Sequence, residues 1–392
     1  MSRKGCVMID RWRWGWRVSV AVAVVALLAW WLTSRDEPRP VDVGEHENVV
    51  NFLTAGDDGR YARVAPGVGL RFPRDHGAHP AFRQEWWYFT GNLKAPDGRR
   101  FGFQLTFFRF AHDRFQAYRE SAWSHDQSWM SHFAVSDVMA GRILAEQDYA
   151  RGALDLAGAR SRPFAVWVNG WSVRAVPGAR SGINARLKAR SDAAYIDLVL
   201  SETGPPLLQG EDGFSRKDDA GDTASYYYSL PNLSARGELV LGDESWAVDG
   251  SVWMDREWST SVLTKGQSGW DWFAMRLAGG ETIMVFQVRN DGGSPFRYAV
   301  WVDASGRTRR FGGRDVTMEP MRWWTSARSG SRYPVSWRLD IADAGLSLDI
   351  DAAFDAQELD LDFRYWEGVV DVAGTVDNRH TRGEGYMELT GY

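Results

Sequence analysis

Two carboxyl groups lie among tryptophans in one short segment of the sequence. The segment is WMDREWSTS at residues 253–261, and an extended backbone places Trp253, Asp255 and Glu257 on the same face. Burying a charged side chain among indoles is costly unless the charge is paired or removed by protonation. A carboxyl group in such an apolar setting has a raised pKa and suits general-acid catalysis near neutral pH.

A structural role is the alternative for these two carboxyl groups. A buried ion-pair network would neutralise them with a guanidinium group and leave neither of them for chemistry. The arginines that the sequence offers for such a network are Arg256, Arg276 and Arg289.

Three further carboxyl groups have aromatic neighbours in the sequence, namely Glu85, Asp271 and Glu367. Paired carboxyl groups suit glycoside hydrolysis, where two of them act across a sugar ring. Aromatic faces suit the stacking of a lipophilic polyene equally well. The aromatic candidates for ligand contact are Trp86, Trp87, Tyr88, Tyr227, Trp253, Trp258, Trp270, Trp272 and Trp366.

The sequence offers little for metal or cofactor chemistry. His76 and His79 with Glu85 have a spacing that a metal site permits, but their Pro-flanked segment DHGAHPAF is more typical of a solvated loop. Signatures for a nucleophilic serine, a zinc protease, a phosphate loop or a dinucleotide are missing. Cys6 is the single cysteine, which excludes an intrachain disulfide. We expect neither a metal nor a cofactor.

Charge is distributed unevenly along the 392 residues. Residues 1–35 carry six basic residues against one acidic residue, although the whole chain has a net charge of −5. The remainder is therefore acidic and has no basic stripe. Nucleic acid is excluded as a partner, because neutralising phosphates supplies most of that affinity.

The N-terminus has the pattern of an export signal. Residues 18–32 (VSVAVAVVALLAWWL) carry no charge and follow five basic residues. No A-x-A cleavage site follows, and the Trp30-Trp31 pair suits a membrane interface. We expect residues 14–33 to remain as an anchor within a 1–35 signal segment, with a cleaved signal peptide as the alternative. The body would then lie on the periplasmic or extracytoplasmic side, joined by a tether at 36–60.

Residues that could act together must be positioned by strands, since the dominant hydrophobic period is two. FGFQLTFFRF at 101–110 alternates in this way, and turn signals such as NDGG at 290–293 separate the strands. No segment has a sustained helical stripe. The pattern predicts an all-β chain of antiparallel sandwiches or barrels. Further alternating segments lie at 194–202, 282–290, 297–303, 334–341 and 346–354.

A faint internal repeat indicates two related β-domains. EWWYFTGNL at 85–93 superposes without gaps on GWDWFAMRL at 269–277, and each is followed by a glycine turn and a strand ending in arginine. The segment ARGELVLGDE near 235–245 has a turn-like composition. We therefore predict domains at 61–240 and 241–392.

Several longer strings, taken together, resemble the AttH/hydroxyneurosporene synthase family, whose members include carotenoid 1,2-hydratases. The resemblance runs in order from about residue 60 to the C-terminus. The strings are HPAFRQEWWYFTGNL (79–93), FGFQLTFFR (101–109), MSHFAVSD (130–137), PPLLQGEDGFSRK (205–217), SYYYSLPNL (225–233), VDGSVWMDREWSTS (248–261), QSGWDWFAMRL (267–277), YWEGVVDVAG (365–374) and GEGYMELTGY (383–392).

The resemblance implies a tandem of two lipocalin-like (calycin) β-barrel domains. In the carotenoid hydratases, water adds across a terminal isoprenoid double bond without a cofactor, which requires a proton donor, aromatic faces and a positioned water. The WMDREW motif makes Asp255 the implied proton donor. Glu257 or Asp271 would orient water, and Trp253, Trp258 and Trp270 would stabilise the cation. Met254 replaces the usual histidine and Glu257 the usual amide, so the chain is more similar to the broad AttH branch.

Three functions follow from these observations. The first is a membrane-tethered protein that binds a lipophilic, isoprenoid-like molecule and hydrates it, which would make it a hydro-lyase. The second is a carrier without catalysis, or an accessory subunit beside the permease of an ABC-type exporter, since AttH-like proteins are associated with such transporters. A glycoside hydrolase ranks third.

Overall fold

The computed structural model describes residues 59–112, 126–177, 183–221, 223–261, 263–264 and 266–392. These ranges form antiparallel strands and three 3-10 helices, at Arg74–His76, Gly313–Asp315 and Ala342–Ala344. No helix within them is long and apolar enough to cross a membrane. The predicted anchor at 14–33 lies outside the described residues, as does nearly all of the tether at 36–60.

The first sheet contains thirteen strands. In chain order they are β1 (Gln84–Lys94), β2 (Arg100–Ala111), β3 (Gln127–Asp137), β4 (Arg142–Arg151), β5 (Ala157–Ser161), β6 (Phe164–Val168), β7 (Trp171–Ala175), β8 (Ala185–Arg190), β9 (Ala194–Glu202), β10 (Leu207–Leu208), β11 (Phe214–Arg216), β12 (Ala224–Leu241) and β13 (Glu244–Ser259). They pair in the order β4-β3-β2-β1-β13-β12-β9-β8-β7-β6-β5, and β10 and β11 also pair with β12.

The second sheet contains ten strands. They are β14 (Gln267–Leu277), β15 (Thr282–Asn290), β16 (Phe296–Val302), β17 (Thr308–Gly312), β18 (Thr317–Thr325), β19 (Arg332–Ile341), β20 (Leu346–Ala352), β21 (Glu358–Leu359), β22 (Tyr365–Val376) and β23 (Arg379–Thr390). They pair in the order β17-β16-β15-β14-β23-β22-β20-β19-β18, and β21 also pairs with β22.

Each sheet curls around its own hydrophobic core, and a third core lies between the sheets. Successive side chains of a strand point to opposite faces. Because nearly all residues of β1 are buried, this central strand is covered on both faces. In β1, Trp87 and Phe89 belong to the core inside the first sheet. Tyr88 between them belongs to the core shared with the second sheet, where it meets Trp272. The shared core therefore forms from the outward faces of two barrels.

Polar contacts fix how the outward faces pack. Asn92 Nδ2 in the first sheet donates a 3.2 Å hydrogen bond to the Gly385 carbonyl oxygen in the second. Ser136 Oγ donates a 2.9 Å bond to Gln357 Oε1 in the same manner. A Cβ added at Gly102 would collide with Val369, so the two backbones approach closely at this glycine.

The all-β tandem with lipocalin-like barrels is confirmed. The two repeated segments become β1 and β14, which hold equivalent central places in their sheets. The chain passes from the first sheet to the second between Ser259 and Gln267, whereas the predicted turn near 235–245 joins β12 to β13 within one sheet. The division into domains at residue 240 stays a prediction, but the strand carrying WMDREW belongs to the first sheet.

Gly102→Ala should destabilise the packing of the two sheets, because the new methyl group meets Val369 and Tyr386 across the interface. We expect a loss of about 1–3 kcal/mol in the free energy of unfolding, as is usual for overpacking. Gly170→Ala is the matched control, since no atom lies within 4 Å of its added Cβ. Denaturant unfolding measures both variants, and equal stabilities would contradict the close approach.

Candidate functional site

A cavity of about 120 Å³ lies between the outward faces of the two sheets. Aromatic side chains form a large part of its walls. The first sheet supplies Trp86, Tyr88, Phe108, Phe110 and Tyr227, and the second sheet and its loops supply Trp270, Trp272, Phe286, Phe363 and Tyr365. Four carboxyl groups also line the cavity, from Asp255, Glu257, Glu367 and Glu388. Such a mixture of apolar walls and a few placed polar groups is typical of a binding or active site.

Strand register brings these side chains side by side. In the first sheet, Tyr88 pairs with Asp255, and Asp255 pairs with Ser229 on its other side. In the second sheet, Glu388 lies between Trp272 and Glu367. Directly paired residues of neighbouring strands are close enough to interact, so each sheet presents a row of chemical groups to the cavity.

Asp255 is buried in the cavity wall and accepts three hydrogen bonds. Tyr227 Oη donates to Oδ2 at 2.6 Å, while Trp253 Nε1 at 2.7 Å and Ser229 Oγ at 2.5 Å donate to Oδ1. Among the described residues, no basic side chain forms an ion pair with Asp255. Burial raises the pKa of Asp255 to about 7, and the charge of Glu257 adds to this, although the three donors oppose it.

Glu257 has a different environment, because it is paired with an ammonium group. Lys217 Nζ lies 2.8 Å from Glu257 Oε1, and Ser225 Oγ donates a second hydrogen bond to the same oxygen. The ammonium nitrogen also lies 4.5 Å from the ring centre of Phe286 and 5.0 Å from that of Tyr227. The carboxylate of Glu257 is therefore compensated by a cation that the sequence did not reveal.

Glu367 lies on the second sheet with its carboxyl group buried. Tyr88 Oη donates a 2.5 Å hydrogen bond to Glu367 Oε1, whereas Oε2 has no hydrogen-bond partner among the described residues. Burial raises the pKa of Glu367 well above its ordinary value, and the neighbouring charge of Glu388 adds to the shift.

Glu388 is the functional residue that sequence reasoning missed. Trp270 Nε1 donates a 3.0 Å hydrogen bond to Glu388 Oε1, and Thr390 Oγ1 donates one of 3.2 Å. Burial raises the pKa of Glu388 to about 7, with a further contribution from the charges of Asp255 and Glu257. Glu388 keeps part of its surface accessible, unlike the other three carboxyl groups. The available signal was the spacing in GEGYMELTGY, where Glu388 lies two residues after Tyr386 and therefore shares its strand face.

A histidine also faces the cavity in its neutral form. His132 Nδ1 shares a 2.7 Å hydrogen bond with Tyr365 Oη. Burial lowers the pKa of His132 to about 3. His132 therefore supplies no positive charge near neutral pH.

Several predicted site residues lie away from the cavity. Glu85 accepts hydrogen bonds from the guanidinium groups of Arg109 and Arg256, which are buried with it, and this pairing holds the pKa of Glu85 well below its usual range despite burial. His79 donates backbone hydrogen bonds of 3.0 Å to both of its oxygens. The imidazole of His79 stacks on Trp258 with ring centres 3.9 Å apart. These residues fasten segment 71–82 to the inner face of the first sheet.

Asp271 is also turned away, although it was expected to orient water beside Asp255. Its carboxylate is paired with Arg289, and it accepts 2.7 Å hydrogen bonds from Gln287 Nε2 and Tyr392 Oη. The flanking Trp270 and Trp272 line the cavity because neighbouring residues of a strand face opposite sides. Asp271 therefore belongs to the inner face of the second sheet.

Three predicted tryptophans support the site or the cores without lining the cavity. Trp87 and Trp366 are buried in the cores of the first and the second sheet, respectively. Trp253 contacts the ring of Trp272 and donates a hydrogen bond from Nε1 to Asp255, so it supports this carboxyl group from outside the cavity lining. The remaining predicted residues, Asp255, Glu257, Glu367, Trp86, Tyr88, Tyr227, Trp270 and Trp272, meet around one cavity.

Buried ion pairs with arginine do occur, but they involve Glu85 and Asp271 rather than Asp255 and Glu257. Arg256 pairs with Glu85 and Arg289 pairs with Asp271. Arg276 donates to the backbone carbonyl oxygens of the first sheet, one of them that of Val252 at 2.6 Å. Within the described ranges, no group of three or more His, Cys, Asp or Glu residues has an arrangement that could hold a metal ion.

Comparisons with known proteins agree with this architecture. The model of a family described as AttH-like matches residues 63–392. A crystal structure assigned to AttH from Nitrosomonas europaea is 38% identical, with a TM-score of 0.74, and the match covers 84% of this chain and 99% of that one. Kievitone hydratase from Nectria haematococca has the same fold, with a TM-score of 0.65 and 15% identity, over 85% of this chain and 96% of its own. No curated protein sequence matches significantly.

The raised pKa of Asp255 predicts a distinctive pH dependence of stability. The folded pKa of Asp255 is about 7, above the ordinary 3.8. The protonated carboxyl group therefore contributes its full stability below about pH 4, and this contribution is lost as the pH rises from about 4 through about 7. Relative to Asp255→Asn, the free energy of unfolding of the wild type should fall by roughly 2–4 kcal/mol between about pH 4 and pH 8. Parallel curves for the two proteins in denaturant titrations would contradict this pKa.

Proposed function

The chain belongs to the AttH-like family, and we propose that it is a hydratase-type enzyme that adds water across a carbon–carbon double bond of a lipophilic, isoprenoid-like molecule. One observation carries the proposal. Asp255 presents to an aromatic-walled cavity a carboxyl group whose pKa of about 7 leaves a substantial fraction protonated near neutral pH. The hydratase named above shares this fold, which supports the reaction class without identifying the substrate.

The first step is the transfer of the Asp255 proton to the less substituted carbon of the double bond. The π electron pair forms the new C–H bond, and the other carbon becomes a tertiary carbocation. Asp255 is left as a carboxylate, which the donors Tyr227, Ser229 and Trp253 stabilise. A donor with a pKa near the working pH is well matched to this task.

The carbocation must then survive until water reaches it. The faces of Trp86, Trp270 and Trp272 surround the cavity, and aromatic faces attract a cation through their negative quadrupole. These indoles also exclude bulk water, which would otherwise react from every direction. The predicted role of Trp258 as a cation-stabilising face is not part of the proposal, because its ring packs against His79 elsewhere.

Water attack completes the addition. The water oxygen bonds to the cationic carbon, and Glu388 accepts the proton that the water loses. Its pKa of about 7 leaves a substantial fraction ionised near neutral pH, and its partial exposure gives water access. Glu388 thereby takes the water-orienting role expected of Asp271. Proton exchange with solvent restores both carboxyl groups, so the net reaction adds one H and one OH.

The dimensions of the cavity also constrain the substrate. A volume of about 120 Å³ accommodates one end of an isoprenoid chain rather than a whole carotenoid. We propose that the reacting terminus enters the cavity while the remaining chain extends outside it. A role as a lipid carrier beside a permease needs the same cavity but no proton donor, so the carboxyl chemistry separates the two functions.

Organic extraction and mass spectrometry of molecules that co-purify with the full chain from native membranes should identify the ligand. We expect one unsaturated isoprenoid-like species together with a product heavier by one water. A bound lipid without any hydrated product would favour the carrier. Release of reducing sugar from envelope glycans would favour the glycoside hydrolase.

Asp255→Asn should lower kcat for that ligand by about 10²–10⁴-fold, because the proton donor is removed while the cavity walls remain. The ligand dissociation constant should change by less than about threefold. Glu244→Gln is the matched control, since this carboxylate lies on the same strand but is 65% exposed. Turnover by the Asn variant at the wild-type rate would contradict the assignment of Asp255 as the proton donor.

A further inference from the structure

The cavity contains more acidic groups than the protein compensates. Four carboxyl groups line it, whereas Lys217 is the one ammonium group among the described lining residues. Lys217 is paired with Glu257 at 2.8 Å. Asp255, Glu367 and Glu388 are left without an ion-pair partner in the described part of the chain.

A second observation points to a missing partner. The carboxyl group of Glu367 belongs to a residue only 1% exposed, and its Oε2 atom has no hydrogen-bond partner among the described residues. Leaving a buried acceptor unsatisfied is unfavourable, so this atom is open to a hydrogen-bond donor from a ligand in the cavity. Its cross-strand neighbour Glu388 belongs to the same cavity wall.

The walls themselves suit a positive charge. The ammonium nitrogen of Lys217 already lies 4.5 Å from the ring centre of Phe286 and 5.0 Å from that of Tyr227. Trp86, Trp270 and Trp272 extend the aromatic surface from there. Indole gives the strongest attraction for a cation of any aromatic side chain. A neutral polyene would use the walls but leave the Glu367 oxygen unpaired, and an anion would meet three carboxyl groups that no cation compensates.

We propose that this cavity binds a lipophilic molecule with an aliphatic ammonium group, which the indole faces enclose and Glu367 and Glu388 neutralise. The proposal goes beyond hydration, because recognition of the ammonium group does not require any turnover of the ligand. It also accounts for three carboxyl groups that have no ion-pair partner among the described residues, in a cavity that needs only one proton donor and one acceptor for hydration.

Binding of a cation should depend on pH. The cation favours the ionised carboxyl groups, so binding releases protons and tightens as the pH rises through about 7. The titratable and charged groups that face the bound ammonium group are Tyr88, His132, Lys217, Tyr227, Asp255 and Glu257 from the first sheet and its loops, and Tyr365, Glu367 and Glu388 from the second. Burial raises the pKa of Tyr88, Tyr227 and Tyr365 and lowers that of His132, so the carboxyl groups dominate this dependence.

The test compares two probes of the same shape on the full chain by tryptophan fluorescence and calorimetry. One probe is hexylammonium, whose N–H groups can donate to Glu367, and the other is 1-hexanol, its neutral analogue with a hydroxyl group in place of the ammonium group. At about pH 8 the ammonium probe should bind at least tenfold more tightly, and its preference should shrink to less than about threefold near pH 5. Calorimetry near pH 7 in buffers of different ionisation enthalpy should show proton release. Equal affinities at pH 8, or tighter binding of the neutral probe, would overturn the proposal.

Two conservative variants assign the effect to the named carboxyl groups. Glu367→Gln and Glu388→Gln should each lower the affinity for the ammonium probe by about three- to thirtyfold while leaving the neutral probe unaffected. Glu244→Gln, which removes an equal but exposed charge, should change neither. Thermal unfolding checks that each variant is folded. If Glu367→Gln does not fold, Glu388→Gln alone provides the test. Retention of the full preference in folded Glu388→Gln would contradict the proposal.

Turnover measured in parallel keeps this inference separate from the proposed function. A preference for the ammonium probe in a protein that never hydrates its ligand supports the cation site and removes the hydratase. Hydration without any preference for the ammonium probe supports the hydratase and overturns the cation site.

Discussion

The burial of the Asp255 carboxyl group without a neighbouring cation is the constraint on which the site depends. Desolvation raises its pKa to about 7 even though three donors hydrogen-bond it. Those donors are placed by strand pairing, because Ser229 lies opposite Asp255 and Tyr227 lies two residues away on the same face of β12. Removing the charge by protonation, rather than by an arginine, leaves a proton in an apolar cavity.

Strand alternation separates acids from bases over a distance of one residue. Arg256 follows Asp255 in the sequence but faces the interior of the first sheet, where it pairs with Glu85. Asp271 and Arg289 form a corresponding pair on the second sheet. The guanidinium groups thus hold the inner faces together, while the outward faces keep carboxyl groups and indoles for the cavity between the barrels.

Much of this arrangement follows from local sequence pattern. The alternation in β2, β9 and β15 predicts these strands, and the shared face of Asp255 and Glu257 is found as expected. Asp271 was misplaced because its flanking tryptophans face the other side, whereas residues two positions away share a face. Local pattern places Glu388 on the same strand face as Tyr386, but it does not bring Glu388 or Lys217 to Asp255, since both reach the cavity through pairings and loops more than thirty residues distant from Asp255.

The protonation state of Asp255 is the central claim, and infrared difference spectroscopy measures it directly. The spectrum of the wild type minus that of Asp255→Asn isolates the carboxyl band of this residue across a pH titration. We predict a protonated carboxyl band that disappears with a midpoint near pH 7. A midpoint near the ordinary value of 3.8 would show an ionised group at neutral pH and would contradict its assignment as the acid.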